Sequence, residues 1–114
     1  MAMEHPEFIK ERDSVEEVRR IIENAEKNVE TEFYTTANSW AACFAGQLFA
    51  IETYLVSADT ERILRAEELK TALARVEELK DEAYRLKRSY PDKTKSPPEN
   101  VRAELFRKLS DILG

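Results

Sequence analysis

The side chains that could do chemistry in this chain are few and oddly placed. The apolar run SWAACFAGQLFAIETYLV, residues 39–56, carries an amide, Gln47, and a carboxylate, Glu52. A lone carboxylate among apolar neighbours raises the free energy of the fold unless it is paired or ligated. Glu32 raises the same question, because it continues the apolar stripe of the segment before it. Two short acidic spacings, Glu23 with Glu26 and Glu78 with Asp81, are of the kind that can hold a metal ion. Helical spacing turns both pairs away from the apolar stripes of their segments. In a chain with 23 acidic residues they read as solvated faces.

Other chemistries are thinly supplied. Cys43 is the sole cysteine and lies within the apolar run, where a small buried thiol is the expected role rather than a nucleophile. With no second cysteine no intrachain disulfide forms, so a reducing cytoplasm is the expected location. The single histidine, His5, stands in the N-terminal tail, which disfavours histidine-based catalysis and a His/Cys zinc site. Only two glycines occur, Gly46 and Gly114, so no glycine-rich phosphate-cradling loop exists. A net charge of -5 offers no cationic footprint for nucleic acid or anionic lipid. MAMEHPEF has no signal-peptide pattern, and the apolar run falls short of the roughly 20 residues of a bilayer span.

The elements that must position these residues are helical. The 114 residues, 42% hydrophobic and 36% charged, suit one soluble domain: a tail over 1–13 and a single helical domain over 14–114. Ser14 and Glu17 have capping-box spacing ahead of Val15, Val18, Ile22, Ala25 and Val29, which predicts a helix over about 14–33. Poor helix formers, Thr31, Thr35, Thr36, Asn38 and Ser39, interrupt it before a second helix over about 38–57. Asp59 is then placed to cap a long third helix over 60–90, whose Leu69, Ala72, Val76, Leu79, Ala83, Leu86 and Tyr90 form a four-three seam. In SPPE, Ser96 caps, Pro97 takes the first helical position and Glu99 closes the box of a fourth helix over 97–113, with Val101, Leu105, Leu109 and Ile112 inward. No period-two stretch suggests a sheet. The expected fold is all-α, a four-helix antiparallel bundle.

A helix apolar all round must be covered all round, and a short fourth helix cannot enclose the second. Ala42, Gly46 and Ala50 share one stripe at i, i+4 spacing. Such small residues allow another backbone close, so a homodimer or higher homo-oligomer meeting on the second helix is expected.

If the second and third helices fold back near Asp59, Gln47 stands level with Thr71 and Ala50 with Glu68, since both helices rise about 1.5 Å per residue. NSWAACFAGQLFAIE and AEELKTALARV, so arranged, resemble the paired metal helices of the all-alpha NTP pyrophosphatases, the MazG-like and dimeric dUTPase-like group. The resemblance covers roughly residues 14–90. It implies an all-helical oligomer that binds magnesium through a Glu-x-x-Glu and a Glu-x-x-Asp and cleaves nucleoside triphosphates to monophosphate and pyrophosphate. Carried over, the acidic positions fall on Gln47, Ala50, Glu68 and Thr71, and only Glu68 keeps a carboxylate. A neutral amide is a weak magnesium ligand and an alanine is none. The resemblance therefore implies a degenerate, weakly active or inactive relative, with Glu68 the remaining metal ligand, Gln47, Glu52 and Glu32 lining the site, and Trp40 or Tyr34 available to stack on a base. The other reading is a non-catalytic helical homodimer, a structural or interaction module that could still bind a nucleotide. A plain coiled-coil adaptor would use the third-helix seam but leave the apolar second helix unexplained. Under the second reading Glu52 pairs with Arg62 or Arg65, and Gln47 is a buried amide satisfied by backbone or a neighbouring chain.

Overall fold

The computed structural model describes residues 13–89 and 95–114. They form helices α1 (Ser14–Val29), α2 (Ala37–Leu55), α3 (Ala58–Ile63), α4 (Ala66–Ser89) and α5 (Glu99–Ser110). The fold is all-α, with no strand among the described residues. His5 and Tyr90, named from the sequence, lie outside the described residues.

α2 is the centre. Ala37, Trp40, Ala41, Phe44, Leu48, Ile51 and Leu55 recur at three- and four-residue intervals and are all buried. α1 packs on this stripe through Val18, Ile21, Ala25 and Val29, and α4 through Ala72, Val76, Leu79, Ala83 and Leu86. α5 closes one end with Leu105, Leu109 and the following Ile112. Each large aliphatic side chain fully withdrawn from water contributes about 1.5–3 kcal/mol, so this cluster is the main source of stability.

Local signals place the helix starts, with small displacements. α1 begins with the capping box one residue early: Asp13 accepts from the Glu16 N–H, and the Glu16 carboxylate accepts from Asp13. α2 is capped by Thr36, which exchanges hydrogen bonds with Ser39. α5 starts at Glu99 after Pro98 and has no side-chain cap; the carbonyl of buried Pro97 instead accepts from Arg102 Nε at 2.9 Å.

Two differences from the sequence expectation matter. α1 stops at Val29 rather than near residue 33. Glu30 serves as its C-cap through a backbone bond to the Glu26 carbonyl, and its carboxylate is held by Trp40 and Arg102. Thr31, Thr35 and Thr36, weak helix formers, then make the turn.

The long third helix is also divided. Leu64 is extended at φ -98°, ψ 144°, separating the six-residue α3 from the 24-residue α4. The physical reason lies in the partners of Asp59 and Thr60. Asp59 does not cap its own helix. Its Oδ2 accepts from the Ser14 backbone N–H at 2.9 Å and from Ser14 Oγ at 3.2 Å, so it caps α1 from 45 positions away. Thr60 is fully buried, with Oγ1 donating to the Tyr54 carbonyl at 2.5 Å and sharing a 2.5 Å hydrogen bond with Ser14 Oγ. These bonds hold residues 59–60 at a corner between α1 and the end of α2, while the apolar seam begins only at Leu69.

Candidate functional site

The corner changes the register of α2 against α4. Lys80 Nζ lies 2.9 Å from Glu52 Oε1 and 4.8 Å from the centroid of the Phe49 ring. Ala42 shares a groove with Lys87, so the two helices run antiparallel. Ala50 therefore stands near positions 79–82 of α4 rather than level with Glu68. Glu68 lies 11 to 14 residues further along, about 17–21 Å at 1.5 Å per residue.

Each residue singled out from the sequence has a definite place. Glu68 is exposed in the first turn of α4, where its Oε1 accepts from the Arg65 N–H at 2.9 Å. That is the reaching-back half of a capping box, and it occupies the carboxylate structurally. Thr71 is exposed. Gln47 is half-buried beside Cys43, and burial pushes the Cys43 thiol up, opposed by hydrogen bonds from Tyr34 and Gln47. Cys43 Sγ also lies 3.8 Å from the Asn28 carbonyl. Tyr34, in the connection between α1 and α2, thus lies against α2 at Cys43.

Trp40 is 1% exposed. Phe44 stacks on it at 5.4 Å and Phe106 meets it edge-on at 5.6 Å. Its Nε1 donates to Glu30 at 2.5 Å, so both the ring and the N–H have partners within the fold. Glu32 is exposed in the turn after α1.

Glu52 has the ion pair its position demands, but with Lys80 rather than Arg62 or Arg65. Arg62 bonds Asp59 and Arg65 lies against Glu68. The α3–α4 corner carries both arginines past the end of α2. Lys80 also contacts Glu77 at 3.0 Å, and these carboxylates hold the ammonium pKa above its ordinary value.

Magnesium requires several hard oxygen ligands around one point. Among the described residues no three His, Cys, Asp or Glu side chains come together to hold a metal ion. Glu23, Glu26, Glu78 and Asp81 are all exposed. The donor set implied by the family resemblance does not fit a magnesium site, and no catalytic step follows from it.

The structure instead assembles a surface. Ala42, Gly46, Phe49 and Thr53 form the outer stripe of α2, continued by its C-cap Val56, and all are exposed, Phe49 at 57% and Val56 at 61%. Ala45 and Ala50 beside them are half-buried. Between this stripe and α4 lies a groove of about 280 Å³, floored by Ala42, Ala45 and Ala83 and bounded by Phe49, Tyr84, Lys80 and Lys87. Arg88 covers one face of Tyr84 at 4.7 Å from the ring centroid. Of the α2 residues of this surface, the sequence singled out the small-residue stripe Ala42, Gly46 and Ala50; Phe49, Thr53 and Val56 were not singled out. The α4 residues were not singled out, although Tyr84, an aromatic one position off the seam, was the available signal.

No helix among the described residues is long and apolar enough to cross a membrane. No protein-family model, characterised protein or solved structure matches the chain at a significant level.

Proposed function

We propose that this protein is a non-catalytic helical association module of the reducing cytoplasm. In this reading α1, α2, α4 and α5 form an antiparallel bundle completed by a surface laid against α2 from outside the chain. One observation carries the reading: the outer face of the most apolar helix is left uncovered, with Phe49 and Val56 more than half exposed. Contiguous apolar surface bounded by polar residues marks interaction sites in soluble proteins. The alternative, magnesium-dependent cleavage of nucleoside triphosphates, needs carboxylates to converge. Glu68 is engaged with the Arg65 N–H, well removed along the helices from Gln47 and Ala50.

The test is hydrolysis and linkage together. A panel of nucleoside triphosphates incubated with the protein and magnesium yields no pyrophosphate. Millimolar magnesium leaves the melting temperature unchanged, because an ion that finds no site adds no binding free energy to the folded state. Magnesium-dependent pyrophosphate release that disappears in Glu68→Ala would overturn the proposal and restore the enzymatic reading.

A further inference from the structure

α2 and α4 close their backbone hydrogen bonds within each helix, so the groove between them has no strand edge to offer and must recognise a partner through side chains. Its volume, about 280 Å³, is below the roughly 300–1,000 Å³ of small-molecule sites and suits one or two bulky apolar side chains. Ala42, Ala45 and Ala83 floor it, and the rings of Phe49 and Tyr84, exposed at 57% and 58%, stand at its sides. Nothing of the chain fills the space beside it, since a Cβ built on Gly46 meets nothing within 4 Å.

The charge at one end of this groove opposes that of the whole chain, which carries -5. Lys80 offers nothing to a partner, because Glu52 and Glu77 already hold it at 2.9 and 3.0 Å. Lys87 lines the groove and Arg88 lies over Tyr84, and neither pairs with a carboxylate among the described residues. Their helices supply no acid nearby: α4 has none after Glu82, and α2 has none from Ala37 to Ile51.

Resting on the association reading, we propose that this groove receives an acidic amphipathic helix of another protein. A bulky apolar side chain of that helix sits on the alanine floor, and Asp or Glu one turn away meets Lys87 and Arg88. A furrow between two antiparallel helices accepts a third helix laid along it, with anchors at i and i+3 or i+4. Complementary charge then sets the register and the choice of partner. A second copy of the chain does not meet this requirement, because the one acid of α2, Glu52, is engaged by Lys80 and a two-fold would set the lysine rims together. An anionic bilayer is too flat to enter the groove and is repelled by the net charge.

The test uses the full chain. Helix-forming peptides of about four turns are selected from a randomised library on the immobilised protein. The enriched sequences carry net negative charge beside Leu, Phe or Trp, and on their addition the amide NMR shifts centre on Ala42, Ala45, Phe49 and Ala83. The double variant Lys87→Glu with Arg88→Glu retains helical circular dichroism and binds these peptides at least roughly tenfold more weakly, while their lysine-for-glutamate counterparts bind it better than they bind wild type. Enriched peptides that are neutral or basic, shifts centred on another face, or no enrichment at all overturn the acidic helix, as does binding to phosphatidylserine vesicles in place of peptides. A wild-type chain that sediments at twice the 13.2 kDa chain mass, with the groove closed to peptides, gives the groove to a second copy and overturns it equally. Magnesium-dependent pyrophosphate release instead removes the association reading itself, so the two failures are told apart.

Discussion

Removing the Glu30 carboxylate tests whether a polar node governs how α5 closes the core. Glu30 ends α1 and accepts hydrogen bonds from two distant partners, Trp40 Nε1 and Arg102. Trp40 is 1% exposed, so Glu30→Ala leaves its N–H buried without an acceptor, which costs about 1–3 kcal/mol. The Arg102–Glu30 pair is partly exposed at 25% and 27%, so its loss adds only about 0.2–1 kcal/mol. The expected destabilisation is about 2–3 kcal/mol. At roughly 4 °C per kcal/mol for a domain of this size, the melting temperature falls by about 8–12 °C at fixed protein concentration. Glu30→Gln keeps an acceptor for the indole and loses only the charge, so it should cost about 1 kcal/mol. Denaturant unfolding followed by Trp40, the only tryptophan, reads both variants directly. A Glu30→Ala protein within 0.5 kcal/mol of wild type would refute the assignment. Equal damage from Glu30→Gln would show that the indole bond is not the element that matters.

Three further outcomes follow from the geometry. The Ser14 backbone N–H, aided by Arg62, holds the Asp59 carboxyl below its ordinary pKa. A depressed folded-state value means this stabilisation is complete above the ordinary carboxylate range and is lost as pH falls through it; the melting-temperature difference between wild type and Asp59→Asn should therefore shrink below about pH 4, and a constant difference down to pH 2.5 would contradict the tertiary cap. Thr60→Val preserves shape but strips the Tyr54 carbonyl and Ser14 hydroxyl of a buried partner, costing about 1–3 kcal/mol, while Thr60→Ser retains most of the stability in urea titrations. Cys43, its thiol pushed up by burial, should react with a disulfide reagent at pH 8 more slowly than glutathione does; a faster reaction would mean the thiol is activated.

Local rules reached far into this fold. The apolar stripe of α1 and the four-three seam of α4 are real core faces, because side chains three or four positions apart share one side of a helix whatever surrounds it. The starts of α1, α2, α3 and α5 were read to within two residues, because cap and turn residues act over one turn, whereas the start of α4 at Ala66 was not read and α5 has no side-chain cap. The demand that Glu52 find a cation was equally legible, as it follows from the residue type and its apolar neighbours.

The identities of long-range partners were not legible. Asp59 looks like the cap of its own helix, yet it caps α1 across 45 positions, and nothing local distinguishes the two roles. That choice forms the corner that splits the third helix and slides α4 along α2. The slide assigns Lys80 to Glu52 and separates Glu68 from Gln47, so one tertiary hydrogen bond bears on whether a metal patch can exist. Burial of the Trp40 faces by Phe44 and Phe106 belongs to the same class. The sequence by itself determined an all-helical chain with one helix too apolar to stand alone, because periodicity and capping depend on neighbours within a turn. Only the tertiary structure decided which face of that helix stays uncovered, because that depends on where the other helices stop.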